Sequence, residues 1–124
     1  MRNRDITPSP QPTYVRLLNM LNAIRQLAPF NLLTADEGLL LDALIVEWHA
    51  RDDIMVSELM GDPRYGTQAT VYRRIIALRD KGLVRLRVDS KDRRVKFVEP
   101  SDAAREYMKS INKCVSGLKR SPQI

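Results

Sequence analysis

One short segment breaks the helical period of this chain. Across residues 83–88 apolar and basic side chains alternate, with Val84, Leu86 and Val88 on one face and Arg85 and Arg87 on the other. That two-residue repeat marks a half-buried strand. Residues 95–98 can return beside it. The six residues between them, Asp89-Ser-Lys-Asp-Arg-Arg94, are all polar and offer no apolar anchor, which suits an exposed hairpin tip. The other patterned stretches read as helix, so the fold class is mainly α with a small β-hairpin.

The helices follow from three- and four-residue spacings. Pro8, Pro10 and Pro12 sit among Ser, Thr and Gln without period or apolar mass, so residues 1–12 are expected to be a flexible arm. An N-terminal helix is expected over residues 13–30, with Tyr14, Leu17, Leu21, Ile24 and Ala28 in one stripe, Leu18, Met20 and Leu27 in a second, and Pro29 as the stop. Thr34 and Glu37 have capping-box spacing and open a second helix. It is apolar nearly all round through Leu39, Leu40, Leu41, Ala43, Leu44, Ile45, Val46 and Trp48, and is expected to be enclosed as the centre of the core. Ser57 reads as the N-cap of a brief helix carrying Leu59 and Met60. After a connection through Arg64, Tyr65 and Gly66, Thr67 caps a third core helix that turns Val71, Ile75 and Leu78 inward and ends at Gly82. Two short helices joined by a turn, the second with a basic outer face, form a helix-turn-helix. With the hairpin as its wing, this domain spans residues 31–100. Ser101 caps a C-terminal helix over 101–118, in which Ala104, Met108, Ile111, Val115 and Leu118 keep heptad spacing, widened by Tyr107 and Cys114; residues 119–124 form a frayed tail.

The charge is concentrated where the helix-turn-helix meets the wing. Residues 64–96 hold eleven Lys or Arg against three Asp, a local balance of +8 in a chain whose total is +6. A basic surface of that kind suits a phosphate backbone, whose condensed counterions are released on neutralisation. The apolar runs fall far short of the ~20 residues a membrane span needs. No apolar run follows the basic residues of Met1 to Asp5, so no leader is expected, and one cysteine cannot make an internal disulfide. A cytoplasmic, nucleoid-associated protein with no membrane partner is the expectation, with Cys114 as a packing residue. Catalysis has little to stand on. The only histidine, His49, falls near the end of the second helix, no Gly-rich phosphate loop is present, and one His with one Cys is too few for a zinc site. No enzyme, cofactor or metal is expected.

The order of these pieces resembles the MarR family of bacterial regulators, over about residues 33–105. Leu33-Thr34 matches the family's opening Leu-Thr, Val56-Ser-Glu-Leu59 its short helix, Lys81-Gly-Leu83 the end of its recognition helix, and Asp92-Arg-Arg94 its Asp-x-Arg wing signature. The chain departs from the pattern in a longer turn over 61–66, in Pro100-Ser101 where Leu-Thr is usual, and in having about twenty residues after Ser101 where two helices are usual. The resemblance implies a winged helix-turn-helix flanked by N- and C-terminal dimerisation helices. It also implies that Arg94 enters the minor groove while Asp92 orients it. Members often bind small aromatic ligands between the dimer helices and the DNA-binding part; with one helix fewer no such pocket is expected, and an effector is left open.

The expected DNA-binding set places residues 67–81 in the major groove. Thr67, Gln68 and Thr70 offer polar contacts, Ala69 can touch a thymine methyl, Tyr72, Arg73 and Arg74 can reach bases or phosphates, and Lys91 and Arg93 can grip phosphates beside Asp92 and Arg94. Each has a plainer alternative. Arg73 and Arg74 can solvate a helix face, Tyr72 can cover a core edge, and Asp92 and Arg94 can be a local hairpin salt bridge. Dimerisation is assigned to Tyr14, Leu17, Leu21 and Ile24 with Met108, Ile111, Val115 and Leu118, unless both stripes pack on their own core. Three readings remain: a homodimeric sequence-specific double-stranded DNA-binding transcriptional regulator, acting as a repressor; a low-specificity architectural DNA-binding protein; and a winged-helix protein-interaction module without DNA binding.

Overall fold

The computed structural model describes residues 11–118. Most of the expected arm, residues 1–10, and the expected tail, 119–124, lie outside them. The described chain runs α1 (Thr13–Arg25), α2 (Ala35–Ala50), α3 (Val56–Met60), α4 (Gln68–Asp80), β1 (Val84–Val88), β2 (Lys96–Pro100) and α5 (Asp102–Leu118), with single 3₁₀ turns at Phe30–Leu32 and Pro63–Tyr65. The expected class, mainly helical with one hairpin, is the class observed.

Local chemistry sets most boundaries. The Thr34 hydroxyl accepts from the Glu37 N–H at 3.1 Å while the Glu37 carboxylate accepts from the Thr34 N–H at 3.1 Å, so the capping box closes both ways. Thr67 caps α4 by accepting from the Thr70 N–H at 3.3 Å. At the other end Gly82 adopts φ +82°, and the Gly82 and Leu83 N–H groups donate to Arg79 and Leu78 carbonyls at 2.9 Å each. This is a Schellman termination, which needs a residue tolerant of positive φ. Ser101 caps α5 by accepting from the Ala104 N–H at 3.1 Å.

The core gathers Leu40, Leu41, Leu44, Ile54, Val56, Leu59, Val71, Ile75, Leu78, Leu83, Val84, Val98 and Ala104. Burying each large aliphatic side chain is worth about 1.5–3 kcal/mol, which makes this cluster the main source of stability. The strands pair antiparallel with Val84 opposite Pro100 and Val88 opposite Lys96. A third, minimal strand joins them: the Val98 N–H donates to the Ile54 carbonyl at 2.8 Å, and Met55 bridges to Phe97. The Trp48 indole N–H donates to the Val98 carbonyl at 2.9 Å, which fixes α2 to the root of the hairpin.

Several expectations are corrected. Helix α1 stops at Arg25, short of Ala28. Pro29 disfavours helical backbone at Ala28 before it, and the chain turns into the 3₁₀ segment instead. Ser57 is not the N-cap of α3. The helix begins two residues sooner, with Met55 as N-cap and the Glu58 carboxylate accepting the Met55 N–H at 3.1 Å. Helix α2 is not enclosed: it buries Leu40, Leu41 and Leu44, but Leu39 is 67% and Val46 70% exposed, and His49 beyond them is exposed. The strand alternation fades outward, from buried Val84 through half-buried Leu86 to Val88 at 49% exposure, because the hairpin leaves the core as it extends. Cys114 is exposed rather than packed. Helices α1 and α5 pack against each other beside the core, and α1 buries no residue fully.

Candidate nucleic-acid interface

Helix α4 has one face for the core and one for solvent. Val71, Ile75 and Leu78 are fully buried, whereas Thr67, Gln68, Ala69, Tyr72 and Arg73 are exposed and Thr70 is half-buried. Gln68 is collinear with Ile75 on a helical projection, yet it lies at the first turn, beyond the reach of the core, and is exposed. The Arg73 guanidinium donates to the Thr70 hydroxyl at 3.3 Å, and that hydroxyl lies 2.9 Å from the Thr67 hydroxyl. The N-terminal turn of α4 is therefore a compact polar surface ending in a cation.

Arg74 is placed differently from Arg73. It turns back, donating to the Tyr65 carbonyl at 3.1 Å and to the Asp36 carboxylate at 3.2 Å. Seven residues on, Lys81 pairs with Glu37. The first turn of α2 thus holds α4 at two points two helical turns apart. Burial works against the charge on Glu37, but the hydrogen bonds from Lys81 and the Thr34 N–H and the charges of Lys81 and Arg74 outweigh it, so its carboxyl stays below the usual carboxylate range. Asp36 and Glu37 were not legible as α4 supports in the sequence, because their partners are 38 and 44 residues away.

The wing presents Arg94 on a fixed mount. The Asp92 carboxylate accepts from the Arg94 N–H at 3.1 Å, from its Nε at 3.1 Å and from its Nη2 at 3.1 Å. The Arg94 guanidinium and N–H hold the Asp92 carboxyl below its ordinary value, while the Arg94 side chain remains 90% exposed. Asp92 is itself anchored, its N–H donating to the Asp89 carboxylate at 3.0 Å. Lys91 and Arg93 are exposed beside it. Along the strands Arg87 stacks 4.5 Å over the Phe97 ring and donates to Glu99 at 2.6 Å, and Arg85 pairs with the same carboxylate at 3.6 Å.

The expected dimerisation residues fall on the α1–α5 pair. Leu17, Leu21, Ile24, Met108, Ile111, Val115 and Leu118 are half-buried and Tyr14 is exposed. Leu21, Met108, Ile111 and Val115 line an open groove of about 390 Å³ shared with Ile45 and Val46 of α2. A cavity of about 440 Å³ opens where Phe30 stacks on Tyr107, ring centroids 3.9 Å apart, above Leu33, Leu41 and Asp42. Among the described residues no group of three or more His, Cys, Asp or Glu side chains is placed to hold a metal ion, and no helix is long and apolar enough to cross a membrane.

A recognition-type helix, the two helices preceding it, and a basic hairpin following it together define a winged helix-turn-helix. The chain is similar in fold to several solved structures. S. aureus MepR bound to an oligodeoxyribonucleotide aligns with a TM-score of 0.55 at 21% identity over 88% of this chain and 80% of that one. MarR itself aligns at 0.53 and 18% identity, covering 86% of this chain and 74% of its own. Streptococcus pneumoniae FabT in complex with DNA gives 0.52 and 17%, with 89% and 84% covered. The fold implied by the sequence resemblance is the fold observed. No protein-family model and no curated protein matches the chain.

Proposed function

We infer that this protein is a transcriptional regulator that binds double-stranded DNA sequence-specifically as a homodimer and acts as a repressor, without catalytic activity. The observation that carries the reading is the conjunction of three features within one stretch of chain: the exposed polar N-terminus of α4, the mounted Arg94, and a charge excess of +8 confined to residues 64–96. In this reading the first turns of α4 enter the major groove, with Gln68, Ala69, Thr70, Tyr72 and Arg73 nearest the base edges. Arg94 enters the adjoining minor groove, and Lys91 and Arg93 meet phosphates. Arg74 supports α4 rather than reaching out. MepR and FabT, two proteins of this fold, are described in complex with an oligodeoxyribonucleotide and with DNA, which supports the same partner here.

The homodimer is supported by the apolar groove between α1, α2 and α5 and by the 70% exposure of Val46 in its lining. A two-fold pairing of these helices in two copies sets the recognition helices about one DNA turn, ~34 Å, apart on a palindrome.

The test is fluorescence anisotropy on a random duplex and on duplexes selected from a random pool, titrated with salt. A selected palindrome bound roughly 10³-fold above random DNA supports the regulator. Equal salt-sensitive binding to all duplexes points to the architectural protein, and no binding at low salt points to a protein-interaction module.

A further inference from the structure

The wing mount is duplicated in the turn ahead of α4. Asp62 and Arg64 repeat the Asp-x-Arg spacing of Asp92 and Arg94. The geometry repeats as well. The Asp62 Oδ1 accepts from the Arg64 N–H at 3.0 Å and from its Nε at 3.1 Å, and Oδ2 accepts from Nη2 at 2.7 Å. In the wing the same three donors meet the same two oxygens at 3.1 Å each. In both places a carboxylate two residues upstream holds backbone and guanidinium together, so the arginine is extended yet fixed: the Arg64 side chain is 73% exposed. The Tyr65 ring beneath it, 5.5 Å from the guanidinium carbon, adds a second support.

The turn itself is built to hold this position. It is the 61–66 segment whose length departs from the family pattern, and it is folded rather than slack. Pro63–Tyr65 forms a 3₁₀ turn, Gly66 adopts φ +122°, and the Tyr65 carbonyl accepts the Arg74 guanidinium from α4 at 3.1 Å. Arg64 stands three residues before the Thr67 cap. The start of a recognition helix lies deepest in the groove, so a cation just ahead of it faces the phosphates at the groove's lip.

We propose that Arg64, mounted on Asp62, is a second phosphate-gripping arginine that flanks the recognition helix on the side opposite in sequence to the wing. This inference rests on the DNA-binding reading above. It assigns Arg64 to the phosphate backbone and not to a base, because its mount leaves the guanidinium at the turn's surface rather than on α4.

The experiment is salt-titrated anisotropy on the selected duplex and on a random duplex for the wild type, Arg64→Ala, Arg64→Lys and Asp62→Ala, with a thermal melt of each. Arg64→Ala weakens binding to both duplexes by a similar factor, and lowers the slope of log K against log salt by about 0.9 per protomer. Arg64→Lys keeps the slope, since the charge stays. Asp62→Ala weakens binding severalfold with the slope unchanged, because the cation remains but must be ordered on binding. A role confined to folding would shift the melt and leave the slope alone. A wild type with a steep salt slope and an Arg64→Ala variant with the same slope overturn this inference by itself. A wild type that binds no duplex at low salt overturns both readings.

Discussion

Asp92→Ala separates two opposed effects of one carboxylate at the wing. A negative charge beside DNA repels phosphates, so its removal should tighten binding. At ~7 Å in water that repulsion is about 0.6 kcal/mol, and screening at physiological salt leaves less than half of it. Against this, Asp92 fixes Arg94 through three hydrogen bonds of 3.1 Å each. Once freed, Arg94 must be ordered on binding, at about 0.5–1.5 kcal/mol for a side chain rich in rotamers. With two wings on the proposed dimer the ordering cost reaches about 1–3 kcal/mol and the relief of repulsion about 0.5 kcal/mol. The expected net is a loss of about 0.5–2.5 kcal/mol, or roughly 2- to 70-fold in Kd. Anisotropy on the selected duplex at fixed salt measures it, with Arg94→Ala alongside. Arg94→Ala should weaken binding further and flatten the salt slope, whereas Asp92→Ala should leave the slope intact. An Asp92→Ala variant that binds as tightly as the wild type, or more tightly, refutes the mounting argument.

Three further outcomes are expected. Ile75→Ala opens a cavity beneath the recognition helix at a fully buried position and should cost about 2–5 kcal/mol in a urea titration; a loss under 1 kcal/mol would mean that α4 is not packed as described. Lys81→Met leaves Glu37 without its ionic partner and should cost about 1–2 kcal/mol at neutral pH. The folded pKa of Glu37 is depressed, so the pair's contribution is present above the ordinary carboxylate pKa and is lost as pH falls through the lower folded value. Wild-type and Lys81→Met stabilities should therefore converge in acid, and parallel curves down to low pH would assign the loss to something other than the pair. Ile111→Arg places a charge in the α1–α5 groove and should shift sedimentation toward monomer while weakening binding to a palindrome; an unchanged sedimentation profile would refute the proposed α1–α5 dimer interface.

Features written by neighbours in sequence are legible from the sequence alone. The Thr34–Glu37 box, the Thr67 cap, the inward run of Val71, Ile75 and Leu78, and the turn at Gly82 each depend on residues within seven positions, and the structure contains them all. What eluded the sequence depends on distance along the chain. Whether Leu39 and Val46 face a neighbour cannot follow from α2's own composition, which puts large apolar residues on both its buried and its exposed sides. Arg74 looks as free as Arg73 until Asp36 and the Tyr65 carbonyl are placed beside it. The Ser57 expectation failed because a stronger local arrangement, Glu58 reaching back to the Met55 N–H, begins the helix two residues sooner. The Asp62–Arg64 mount had a signal of its own in the spacing shared with Asp92 and Arg94, but only the second pair lay inside a recognised pattern.

The Ser101 hydroxyl donates to the Gly82 carbonyl at 2.7 Å, and the Ser101 N–H donates to the Leu83 carbonyl at 3.2 Å. Together they draw the hairpin shut at its root, where α4 ends and α5 begins. Nothing beyond Val84 and Val98 on the two strands is fully buried except Pro100, which lies at that same root. The outer loop is thus insulated from the folding of the rest. Because lengthening an exposed loop costs only fractions of a kcal/mol, ~0.6 for each doubling, residues 89–95 can be exchanged, extended or recoded while α4 keeps its place. A lineage carrying this scaffold can change what its hairpin tip touches one substitution at a time, without first having to rebuild the domain that carries it.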